Sequence, residues 1–122
     1  MIEQLADFPG NVLAFGYKGR VTKEDYEAVL VPAVMNALRK QNKVRLYVEI
    51  AEDFLGIDPG AIWEDFKIGM EYLTRWERVA VVTDVEWIKH TMRLFSFLMP
   101  GALKSFPTSQ AAQARGWIIA AS

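Results

Sequence analysis

At 122 residues the chain has the length of one domain and can bury a full core without disulfides. A hydrophobic share of 52% with 24% charged residues excludes disorder, and a formal net charge of -1 leaves no basic footprint for nucleic acid. The lack of cysteine excludes disulfides, thiolate chemistry and cysteine-held metals. No run of about 18 apolar residues is present to span a membrane, and Met1-Ile2-Glu3-Gln4 has neither the basic nor the apolar region of a signal peptide, so a soluble cytoplasmic protein is expected.

In chain order, Met1–Leu5 reads as a short strand, and Asp7-Phe8-Pro9-Gly10-Asn11 carries turn chemistry. Val12–Gly19 alternates and reads as a second strand, antiparallel to the first. Thr22 and Asp25 fit a capping box opening a helix to about Arg39, with Tyr26, Leu30, Ala33, Val34 and Ala37 on its inward face. Pro32 lies inside that helix, removes one backbone donor and predicts a kink or a loosened turn. Val44–Ile50 is dense in apolar and β-branched residues and reads as a buried strand. Asp58 as N-cap and Pro59 at the first helical position open a helix to about Thr74, with Ile62, Phe66, Gly69 and Leu73 inward. Val79–Val82 is another buried strand. Thr83 and Glu86 fit a second capping box, opening a helix to about Met99 that Pro100-Gly101 stops. Leu103–Phe106 reads as a last strand, and Thr108 as the cap of a final helix from Ser109 to about Ala120. Strands alternating with helices in the order ββαβαβαβα predict a single α/β domain over residues 1–122, with a mixed, mostly parallel sheet.

The stretch Trp63-Glu64-Asp65-Phe66-Lys67-Ile68-Gly69 and the run Trp76 to Asp84 with Trp87 resemble the SpoIIAA-like proteins, relatives of the STAS regulatory domain. So do Asp25-Tyr26 with Pro32, the strand Val44–Ile50, and the ending Phe106, Ala114, Trp117. The resemblance covers essentially the whole chain. It implies a STAS-like fold carrying its helices mainly on one face. A further similarity of that family to lipid-carrying CRAL-TRIO domains implies apolar ligands. STAS domains that act as anti-sigma-factor antagonists carry an Asp-Ser-Ser-Gly-like stretch whose serine is phosphorylated. The corresponding stretch here is Ile57-Asp58-Pro59-Gly60-Ala61, so the resemblance implies no phosphoserine switch.

Among candidate chemical groups, His90 is the one histidine and falls on the outer side of its helix, beside Phe97. Glu49, Glu52, Asp53 and Asp58 cluster after the Val44–Ile50 strand, without the alternating spacing of a calcium loop. Gly16-x-x-Gly19 lacks the rest of a phosphate or dinucleotide fingerprint. Asp25, Asp58, Asp84 and Glu86 sit at helix starts, where they compete with phosphate for the same N–H donors. Arg39, Lys40, Lys43 and Arg45 read as charge at a helix C-terminus. No metal, cofactor or catalytic set is therefore expected.

The unusual element is the helix from Val85 to Met99. Its inward face is Ile88, Thr91, Met92, Phe95 and Met99. A second stripe of Trp87, Leu94 and Leu98 lies beside it, and Phe97 extends further round. The apolar arc is roughly 160–220°, wider than a surface helix needs. Trp63, on the shoulder of its own helix, is a neighbour. Three readings stand: a neighbouring helix covers the stripe, a second subunit does, or it walls an apolar pocket. The expected function is a non-catalytic binding or regulatory module for a nonpolar, lipid-like molecule or a protein partner, with homodimerisation open. The alternative is a small enzyme or metal-binding protein using the acidic loop Glu49 to Asp58 and His90.

Overall fold

The computed structural model describes residues 1–121. Its main sheet has five strands in the order β1 (Ile2–Gln4), β2 (Val12–Tyr17), β4 (Val44–Ile50), β6 (Trp76–Val82) and β7 (Ala102–Phe106). β1 is antiparallel to β2, and every other pairing is parallel. Three parallel steps taken in one direction across the sheet, each crossing over with the same hand, bring their helices to the same face. Those helices are α1, made of the consecutive segments Lys23–Asp25, Tyr26–Leu30 and Val31–Lys40, then α2 (Pro59–Glu71) and α3 (Glu86–Ser96). The last helix, α4 (Ala111–Ile119), follows the final strand and takes the opposite face. This is the expected α/β domain, with helices mainly on one side.

Strand alternation divides the core accordingly. Leu13, Phe15, Val48, Val79 and Val81 pack under the three helices, while Val12, Ala14, Tyr47, Ala80 and Val82 meet Ala114 and Ile118 of α4. In α1 the Thr22–Asp25 capping box is present in both directions. The loosening expected from Pro32 takes the form of a π-helical turn over Tyr26–Leu30, in which the Val31 N–H reaches back to the Tyr26 carbonyl. Proline offers no N–H for the i→i−4 ladder, so the chain widens just before it.

Several local expectations are corrected. Two further strands, β3 (Arg20–Val21) and β5 (Gly56–Ile57), pair in parallel with each other. Two residues are too few to show a period. α2 is rotated from the expected face: Gly69 and Leu73 pack inward as expected, but Ala61 and Ile68 are the buried residues and Ile62 and Phe66 are exposed. Asp58 does not cap it, because its carboxylate takes Arg20 Nε at 2.6 Å. The second capping box is absent: Thr83 accepts from the Val85 N–H, and α3 starts at Glu86 without a side-chain cap. Asp84 instead accepts from the Thr108 N–H at 3.1 Å and from the Thr108 hydroxyl, so Thr108 is itself held by a carboxylate of another loop rather than acting as a cap. Of the basic cluster, Arg45 lies buried at the other side of the sheet, and the carbonyls at the end of α1 are met by Arg75, which donates to Leu38, Gln41 and Asn42.

Candidate functional site

Between the sheet and helices α2 and α3 lies a cavity of about 200 Å³. Its floor is aliphatic, from Leu46 and Val48 of β4, Val79 and Val81 of β6 and Leu103 of β7; Ile68 of α2 and Ile88 and Met92 of α3 form walls. These positions follow from the sequence pattern, since inward-facing strand residues alternate and the α3 residues recur at helical spacing. α2 and α3 approach closely where Gly69 faces Phe95: a Cβ added at Gly69 would come within 3.2 Å of the Phe95 ring. Ile62, Phe66, Trp87 and Thr91 line the cavity and are also exposed, so it reaches solvent along these two helices.

One acidic group interrupts the apolar lining. Asp65 of α2 lines the cavity together with Tyr17 and Tyr26. Tyr26 donates its hydroxyl hydrogen to Asp65 Oδ1 at 3.0 Å, and the Tyr17 and Tyr26 hydroxyl oxygens lie 2.7 Å apart. The chain of hydroxyls thus ends on the carboxyl group. Burial pushes the Asp65 carboxyl above its ordinary range, and the bond from Tyr26 only partly opposes it. Burial likewise raises both tyrosines well above the usual phenol value. Because the folded protein holds the Asp65 proton more tightly than the unfolded chain does, this carboxyl favours the fold below its unfolded pKa. That contribution is lost as pH rises through the higher folded value.

The five residues singled out from sequence divide. Trp87 lines the cavity and remains exposed. Leu94 and Phe97 are 70% and 82% exposed, and Leu98 is exposed beside them. Among the described residues no helix covers Leu94, Phe97 and Leu98. Trp63 is exposed on α2 and stacks on Phe66 with ring centroids 5.8 Å apart, which places it next to a cavity-lining ring rather than in the cavity. Asp65 is not among the residues that the sequence singles out, because a charged residue on a helix normally marks the solvent face. Its position between Ala61 and Ile68 on the buried stripe is the signal that identifies it.

Three carboxylates of the alternative reading are engaged elsewhere, and Glu52 is exposed. Glu49 accepts from the Tyr47 hydroxyl at 2.6 Å, Asp53 accepts from the Gly19 N–H at 3.4 Å, and Asp58 holds Arg20. His90 is exposed, 3.9 Å from the equally exposed Glu86. Among the described residues no three acidic or histidine side chains gather as metal ligands. Of the carboxylates expected at helix starts, only Asp25 engages its own helix as a cap. Among the described residues no helix is long and apolar enough to cross a membrane.

Residues 12–119 match the family model described as SpoIIAA-like. The fold is similar to the crystal structure of an uncharacterised protein of the DUF3478 family with a SpoIIAA-like fold from Shewanella loihica PV-4. The TM-score is 0.73 at 25% identity, covering 96% of this chain and 93% of that one. No curated protein matches the sequence.

Proposed function

The chain belongs to the SpoIIAA-like family, and on that footing we propose that it is a non-catalytic binding module that takes a small nonpolar ligand in the cavity between its sheet and helices α2 and α3. The observation that carries this reading is the cavity itself: about 200 Å³, lined mainly by aliphatic and aromatic side chains and open to solvent beside Trp87. An apolar cavity of about 150 Å³ in another protein stays dry and binds benzene, so this volume suits an aromatic ring or the end of an acyl chain. Filling it brings apolar ligand surface out of water and restores the dispersion contacts that its walls lack.

The test is titration of toluene into the protein, followed by tryptophan fluorescence, to which Trp76 and Trp87 of the lining are sensitive. Saturable binding is expected in the natural protein. Val81→Phe, which places a ring in the cavity floor, is expected to fold and to abolish that binding. No saturable binding to the natural protein, or undiminished binding to the variant, would remove the cavity from consideration.

A second reading has its own observation, the exposure of Leu94, Phe97 and Leu98 outside the cavity. We propose that this ridge is covered by a protein partner or a second copy of the chain. Each such side chain contributes on the order of 1.5–3 kcal/mol when fully buried. The Leu94→Glu, Leu98→Glu double variant is expected to stay within about 1 kcal/mol of the natural stability, because both residues already face solvent. It should also lose concentration-dependent association in sedimentation. Unfolding of the variant, or association that persists unchanged, would count against the ridge.

A further inference from the structure

We infer that the ligand of this cavity is amphipathic, an apolar body ending in a hydrogen-bond donor that seats on Asp65 Oδ2, and that a protonated amine is the preferred donor; the inference rests on the cavity being a binding site. Among the described residues Oδ1 of Asp65 accepts from Tyr26, and Oδ2 accepts from no protein group. Oδ2 is not sealed in either, since no buried side-chain oxygen or nitrogen lacks a partner. The open acceptor belongs to a side chain that lines the cavity.

Two features set the polarity of what would satisfy it. The hydroxyls of Tyr17 and Tyr26 can each give one hydrogen, and passing them along the chain toward Asp65 leaves the carboxylate as the final acceptor. No lysine, arginine or histidine forms an ion pair with Asp65 among the described residues, whereas nine other ion pairs are present in the fold. A carboxylate lining an apolar cavity with no cation beside it has its charge uncompensated by the protein, which carries a desolvation cost. An ammonium group entering the cavity supplies the missing cation and the missing donor together. A low-polarity surrounding strengthens that charge-assisted bond. A hydroxyl supplies the donor alone. A ligand carboxylate supplies neither and meets like charge.

The placement of the acceptor is also built into the backbone. Tyr26 is the first residue of the π-helical turn, and π turns within α-helices recur at functional sites. The turn forced ahead of Pro32 thus begins at the residue whose hydroxyl anchors Oδ1 and holds the carboxyl group.

The experiment uses four probes of one size on the full chain at neutral pH: toluene, benzyl alcohol, benzylamine and benzoate, compared by calorimetric titration. Benzylamine is expected to bind about tenfold or more tighter than toluene, the size of one hydrogen bond to a charged group, with benzyl alcohol between them and benzoate weakest. In Asp65→Asn the ratio of toluene to benzylamine dissociation constants is expected to fall to about threefold or less, because a neutral amide offers the amine no charge. A measurement without a variant supports the same placement: nuclear Overhauser contacts between the benzylamine methylene and the β-protons of Asp65. Toluene binding with no advantage for benzylamine would overturn the inference. So would an advantage that survives Asp65→Asn, tightest binding by benzoate, or cavity-bound benzylamine without contacts to Asp65. Failure of all four probes to bind would instead overturn the cavity as a site, and this inference with it.

Discussion

Arg45→Ala is expected to lower the unfolding free energy by about 3 kcal/mol, read as a shift of the urea midpoint at unchanged slope. Arg45 stands on the central strand β4 and is 7% exposed. Its Nε donates to Glu77 Oε1 at 2.6 Å, and its Nη1 donates to the carbonyls of Ile118 at 2.9 Å and Ala120 at 2.5 Å. One guanidinium therefore ties two sheet strands to the C-terminal end of α4, where the unpaired carbonyls carry the negative end of the helix dipole. Alanine leaves those acceptors short of donors and opens a gap where the side chain was. Glu77 is half-exposed, so the carboxylate itself recovers water and the loss stays at the low end for breaking a buried pair. Arg78, donating to Trp117 O at 2.7 Å, keeps part of the cap.

The loss should also depend on pH. The bond from Arg45 holds the Glu77 carboxyl below its ordinary range. A carboxyl whose pKa is depressed on folding contributes stability above its unfolded pKa, and that contribution is lost as pH falls through the folded value. The gap between natural protein and variant should therefore narrow on acidification below about pH 4. A loss under about 1 kcal/mol at neutral pH would show that Arg45 is dispensable to the α4 face.

The parts of the fold legible in the sequence are those with a repeated physical signal. Val44–Ile50 is legible to the residue because five of its seven positions, on a strand buried on both faces, are apolar or aromatic. β6 begins three residues before the predicted Val79, because Trp76-Glu77-Arg78 looks polar although Trp76 is buried. Caps were legible only when reciprocal. The Thr22–Asp25 box formed, whereas Thr83, Asp84 and Asp58 found partners distant in sequence that no local pattern announces.

For the site, the width of the apolar arc on α3 is legible from spacing; Leu94 and Leu98 of its second stripe are exposed, whereas Trp87 also lines the cavity. The cavity itself is not legible, since it is a space between three elements rather than a property of any one. α2 misled for a related reason. Ile62, Phe66, Gly69 and Leu73 form a larger apolar stripe than Ala61, Asp65 and Ile68, so hydrophobicity alone favours Ile62 and Phe66 over the residues that are buried, although Gly69 and Leu73 do pack inward. The bulky stripe is instead turned partly toward the cavity, and the face carrying the acid is turned inward.

Gly101→Ala is expected to cost about 3 kcal/mol, the upper part of the usual range for forcing atoms into a packed site, and to weaken toluene binding as well. Gly101 precedes β7 and lies against the start of β6. A Cβ there would overlap the Trp76 carbonyl oxygen and sit 2.7 Å from the Glu77 carbonyl oxygen. Both obstacles are backbone of a paired strand, so neither can swing aside as a side chain does. The alternative is for β7 to withdraw, but its register pairs Arg78 with Ala102 and Val79 with Leu103 immediately afterwards. Withdrawal therefore loosens the edge of the sheet. Met99, two residues before Gly101, and Leu103, two residues after it, both line the cavity. Displacing the segment between them moves part of the cavity lining and exposes the cavity to more water. Denaturant unfolding gives the stability, and the toluene titration gives the site. Loss of stability with unchanged toluene affinity would separate the cavity from the β6–β7 spacing. A variant within about 1 kcal/mol of the natural protein would show that this edge of the sheet yields easily.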